Sequence, residues 1–174
     1  MEISNKIARL EKEIEISGNN GKHAAHIAAI ETLLDYLLKN GLLQKSIYYG
    51  EELERLYIEA NQQEKLGNIL NLLGKMYSFI PEMDKSREYL LSALKISRET
   101  GDKKCESYSL TNLGLVQRKT DKLDESLDSY FRAKEIMELV LKNPEEKKDH
   151  KLISNYLQVL DQIGVLYNSS FADA

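Results

Sequence analysis

Apolar residues recur along this chain at helical spacing, and the pattern itself returns every forty residues. Ile3, Ile7, Leu10 and Ile14 form one stripe on an opening helix. Beyond it, Ile30, Leu70 and Leu110 keep a forty-residue interval, as do Leu33, Leu73 and Leu113. Leu43, Met83 and Leu123 keep it too, with Leu56, Ile96 and Ile136. Three serines, Ser46, Ser86 and Ser126, share the period. A fixed interval of this length marks a repeat array, in which each unit buries its apolar face against its neighbours.

Stop signals divide each period into two helices. Ser17 to Gly21 favours a turn and ends the first helix. The pattern then predicts helices over 22–39, 42–60, 62–79, 82–100, 102–119 and 122–141. Asn40-Gly41, Pro81 and Gly101 end three of them, and Thr120 or Asp121 caps the helix from Lys122. Asn143-Pro144-Glu145-Glu146 reads as a helix start, with Asn as cap, Pro in the first turn and acids facing the dipole. That last helix is predicted to run to about Asn168. Gly74 and Gly114 are forty residues apart, but Gly164 follows fifty after Gly114, so about ten residues are inserted around Asn143 to Leu152.

Composition narrows the reading. The chain has 174 residues, 42% hydrophobic and 30% charged, with nine Gly and two Pro. Long stretches without helix breakers favour an all-helical fold. Net charge is −4 with both signs interspersed, which lacks the basic footprint of a nucleic-acid binder. A lone cysteine, Cys105, excludes an intramolecular disulfide and fits a reducing compartment. No signal peptide or spanning segment is visible, so we expect a soluble, cytoplasmic protein with no membrane partner.

Asn71-Leu72-Leu73-Gly74-Lys75-Met76-Tyr77, with Ala93-Leu94 in the next helix, resembles a tetratricopeptide repeat (TPR) of the long, about forty-residue type. Gly74 and Gly114 match the small residue where paired helices approach, Tyr77 and Tyr167 the large aromatic, Ala93 and Ala133 the small residue of the second helix. Leu34 replaces the first of these glycines, and Gln117 one aromatic. The resemblance implies a right-handed α-solenoid of antiparallel helix pairs. Its expected parts are a capping helix and loop (1–21), repeats at 22–61, 62–101 and 102–142, and a half repeat at 143–174. The stop at Phe171 to Ala174 suggests a chain cut inside a repeat, with the stripe Leu160, Ile163 and Tyr167 lacking its second helix. Another chain, or Phe171 to Ala174 folding back, is expected to cover it.

The resemblance also implies a concave groove lined by the first helix of each pair. In this register the groove-forming residues are Asn68, Asn71 and Lys75, then Tyr108, Asn112, Leu115 and Arg118, then Gln158 and Gln162, with Glu31 and Asp35 at the acidic end. Thr111 shares the stripe of Tyr108 and Leu115. Amides at this density suit an extended peptide, since each offers a donor and an acceptor to a main chain without a sheet partner. Glu31 and Asp35 argue against a clamp for C-terminal carboxylates.

Candidate catalytic sets fail. Gly67 to Lys75 has the wrong spacing for a phosphate loop, and Met76 replaces its hydroxyl residue. His23 and His26 share a face but lack a third metal ligand, and His150 sits among charged residues. Lys103-Lys104 before Cys105 favours a thiolate, yet no base stands beside it in the pattern. We therefore expect no enzyme, no cofactor and no metal. The expected function is a protein–protein interaction module, a scaffold within a larger signalling or regulatory protein. The alternative is an oligomerisation module, a homodimer formed through the C-terminal helix.

Overall fold

The computed structural model describes residues 2–19 and 23–172, with side chains to 168. It is helical and, among the described residues, has no strand. The helices are α1 (Glu2–Asn19), α2 (His23–Lys39), α3 (Leu43–Glu59), α4 (Gln63–Tyr77), α5 (Met83–Thr100), α6 (Lys103–Lys119), α7 (Leu123–Val140) and α8 (His150–Ala172). Most ends fall within a residue or two of those read from the sequence.

Three ends differ for local reasons. α1 runs through Ser17 and Gly18 to Asn19, and the Ser17 hydroxyl donates to the Ile14 carbonyl instead of breaking the helix. Asn20 and Gly21 of the expected turn lie outside the described residues. Thr120 terminates α6 and does not cap α7, while Asp121 takes a left-handed conformation at φ 61°. The last helix starts at His150, not at Pro144. Residues 146–148 form a short 3-10 turn, and the Asp149 carboxylate caps α8 by accepting from the amides of Lys151 and Leu152, each at 3.0 Å. The Asn143 side chain accepts from the Glu145 amide across a turn and caps no α-helix.

The turns have a twenty-residue rhythm. Gly41, Asn61, Gly101 and Asp121 all have positive φ, between 52° and 76°. The missing member is position 81, where proline cannot adopt that conformation. The link from α4 to α5 is therefore longer, and α4 is the shortest α-helix described, at 15 residues.

The chain divides into two compact units, residues 1–62 and 63–174. In the first, α2 lies between α1 and α3. Ile7, Leu10 and Ile14 of α1, the Ile27–Leu37 face of α2, and Ile47, Leu53 and Tyr57 of α3 are buried. In the second, α4 pairs with α5 and α6 with α7, α5 also packs on α6, and α8 lies against α7 and α6. The first helices of each pair, α4 and α6, are neighbours, as are α6 and α8, which makes one layer.

The periodic serines explain how the pairs close. Ser46, Ser86 and Ser126 are all fully buried. The Ser86 hydroxyl donates to the Gly74 carbonyl at 2.6 Å, and that of Ser126 to Gly114 at 2.8 Å. Each bond ties the start of a second helix to the first helix of its pair, where glycine leaves the carbonyl open to approach. Leu34 stands in the glycine place of the first pair, and there the Ser46 hydroxyl turns back to Leu42 of its own chain segment. Ser126→Ala is expected to lower stability by about 1–2 kcal/mol, and Ser46→Ala by less, in urea unfolding of the two variants.

Candidate peptide-binding surface

The layer formed by α4, α6 and α8 holds every groove-forming residue named from the sequence outside the acidic pair. Asn68 and Lys75 on α4 and Gln158 on α8 are exposed; Asn71, Asn112, Leu115, Arg118 and Gln162 are half-buried. Two cross-helix bonds set the spacing. The Asn112 amide donates to the Asn71 carbonyl oxygen at 2.9 Å, joining α6 to α4. The Thr111 hydroxyl lies 3.0 Å from Asn155 Oδ1 on α8 and 2.9 Å from the Ser107 carbonyl, two acceptors for one proton. Lys119 closes the far end of α4 and α6 by donating to the Ser78 carbonyl at 2.6 Å.

These bonds use part of the polar capacity that the sequence offered to a ligand. After the pair forms, one amide of Asn71 and Asn112 still has an open carbonyl and the other an open NH2. Tyr108 is not open: it is 6% exposed, and the Lys151 ammonium covers its ring at 4.8 Å. Burial and the Asp149 carboxylate push its phenol up to about 12. Thr111 is likewise buried in the α6–α8 contact. Arg118 reaches toward Tyr130, and the Tyr130 hydroxyl and the Arg118 Nε are both buried. Burial raises the Tyr130 phenol, against the opposing effect of the guanidinium. Gln117 joins α6 to α7, its amide 2.7 Å from the Ser129 hydroxyl.

Charge is arranged unevenly over the second unit. Lys104 pairs with Glu146 and, at 3.0 Å, with Asp149, fixing the inserted segment before α8. Glu106 is buried between Arg98 and Lys103, at 2.9 and 2.8 Å. Burial alone would raise its carboxyl, but the two cations hold it below the ordinary value. The acidic pair of the first unit is engaged locally. Glu31 accepts from the Tyr57 hydroxyl at 2.6 Å, and Asp35 pairs with Lys39 at 2.6 Å.

Chemistry outside this surface is weak. Cys105 is buried, and desolvation pushes its thiol up to about 11, opposite to the activation its lysine neighbours suggested. His26 is held by Ser17 and the Ile14 carbonyl at 3.3 and 3.2 Å. No cluster of three metal-ligating side chains occurs among the described residues. No helix among them is long and apolar enough to cross a membrane.

No family model and no curated protein matches the chain. Solved structures do. The crystal structure of BtubC (BKLC) from P. vanneervenii is 23% identical over 98% of this chain and 67% of its own, with TM-score 0.73. Kinesin-light-chain-type, nearly identical TPR-like repeats from Podosopora anserina match twice. A form of them carrying a single substitution is 13% identical over 98% of this chain and 79% of its own, with TM-score 0.71. The other is 15% identical over 97% and 88%, with TM-score 0.64. This is a TPR-like fold. It is an all-α solenoid of repeats, as the forty-residue period implied. The TPR-like register also explains why α4, α6 and α8 form one layer while α5 and α7 carry the opposite one.

Proposed function

We propose that the chain is a peptide-binding module whose recognition surface runs along α4, α6 and α8. The observation that supports this most is the spacing of open amides and cations across three adjacent helices, held by the Asn71–Asn112 and Thr111–Asn155 bonds. Asn68, Lys75, Asn112 and Gln158 offer donors and acceptors, Leu115 supplies an apolar contact between them, and Gln162 contributes less, since its side-chain oxygen is buried and its amide donates to Asp161. An extended segment laid across the layer satisfies its main chain from these side chains. Lys75 and Arg118 favour a ligand with acidic residues near α4 and the end of α6. A scaffold role in a signalling or regulatory protein of the cytoplasm follows from this reading.

Asn112 and Arg118 also serve the fold, so the cleaner test uses exposed residues. Lys75→Ala with Gln158→Ala is expected to weaken a selected acidic peptide by roughly 1–3 kcal/mol in titration calorimetry, with helicity unchanged. Unchanged affinity, with loss on substituting outer residues of α5 or α7, would place recognition on the opposite layer.

A further inference from the structure

Asn71 and Asn112 stand near the middle of α4 and of α6, and the bond between them uses one group from each. The Asn112 NH2 donates to Asn71 Oδ1 at 2.9 Å. Asn71 therefore keeps its NH2, a donor on the α4 side of the seam. Asn112 keeps its Oδ1, an acceptor on the α6 side. Farther along the seam, Lys119 donates to the Ser78 carbonyl at 2.6 Å, so the two helices are held at a second point and the amides keep their places. Both asparagines are half-buried, which limits the water that competes for the remaining donor and acceptor.

In an extended chain a residue's own N–H and C=O point to the same side. One residue of a bound peptide thus donates its N–H to Asn112 Oδ1 and accepts at its C=O from the Asn71 NH2. The N–H comes before the C=O along any polypeptide, so this peptide runs from α6 to α4. We propose that the Asn71–Asn112 pair reads one ligand residue through its main chain and so sets the direction of the bound segment, amino end toward α8 and carboxyl end toward α4. This rests on the peptide-binding reading of the surface and adds a polarity to it. Asn112 is also a positioning residue, because its donation to Asn71 turns the Asn71 NH2 toward the ligand. Charge on the flanking helices agrees. Lys75, one turn beyond Asn71 on α4, is exposed, as is Asp161, one turn beyond Gln158 on α8. In this direction the carboxyl half of a peptide nears the lysine and its amino half the aspartate. Leu160 and Tyr167 of α8 are also exposed, and the side chains of Phe171 to Ala174, expected to fold over them, lie outside the described ones.

The test is paramagnetic broadening of the 174-residue chain by an acidic peptide selected from a random library and carrying a nitroxide at one end or the other. A nitroxide at the carboxyl end is expected to remove the amide signals of Asn68 and Lys75 on α4 and to spare those of Asn155 and Gln158 on α8. One at the amino end should do the reverse. Replacing the peptide N–H groups one at a time by ester oxygen should reveal one position that weakens binding to the parent about fivefold, and to Asn112→Ala less than about twofold. The nitroxide experiment uses the parent chain and holds even where Asn112→Ala fails to fold. Reversed broadening overturns the proposal and leaves the peptide-binding reading intact, since it means that both amides are turned over. Equal broadening of α4 and α8 by both labels overturns it as well, as does the lack of any ester-sensitive position. A selected peptide that leaves the signals of α4, α6 and α8 unchanged, or a library that yields no binder, removes the peptide-binding reading and the proposal with it.

Discussion

Gly74→Ala should destabilise the chain by about 1–3 kcal/mol, and Gly164→Ala should stabilise it by up to about 1 kcal/mol. The two glycines share a helical register but not surroundings. Alanine improves helix propensity at both. At Gly74 the new methyl also falls 2.6 Å from Leu90 Cγ and 3.1 Å from the Ser86 carbonyl oxygen. Leu90 is fully buried and cannot swing clear, and the carbonyl belongs to backbone. The overlap therefore outweighs the propensity gain. At Gly164 nothing opposes it. Chemical unfolding of the two variants beside the parent reads both signs; equal effects would mean that α5 does not seat on Gly74 as described.

Leu90→Ala should be the more damaging of single changes at this contact, lowering stability by about 2–5 kcal/mol. Leu90 is fully buried with Leu113 and Val116 of α6, so truncation opens a cavity at a three-helix junction. In that background Gly74→Ala should change sign and become neutral or stabilising, because its methyl enters the vacated volume. The coupling between the two positions is expected to exceed about 1 kcal/mol in a double-mutant cycle. Additive effects would separate the two residues.

Much of this architecture is legible in the sequence. The forty-residue interval of Leu33, Leu73 and Leu113 marks buried positions, and Ser86 and Ser126 mark the joints, because a place between close helices tolerates only small side chains. The start of α8 is not legible in the same way. Asn143-Pro144 is a sound local start signal, but Asp149 follows with two amides in reach and a partner in Lys104, and tertiary contact decides between them. The surface is legible as a stripe and not as a set of free groups. Asn71 and Asn112 meet across helices forty-one residues apart, and Thr111 meets Asn155 at forty-four. The inserted segment shifts the second spacing away from the repeat, so the period does not reveal that Lys151 lies over Tyr108. Exposure of Lys75 and Gln158 follows from helix register alone, since no neighbouring helix competes for them.

The most direct measurement is chemical-shift mapping of the 174-residue chain with a peptide selected for binding from a library of random extended sequences. The expected result is a set of perturbed amides centred on Asn68, Lys75, Asn112, Leu115 and Gln158, along one face of α4, α6 and α8. Perturbations confined to Glu88, Leu91 and Asp128, on the exposed side of α5 and α7, would contradict it.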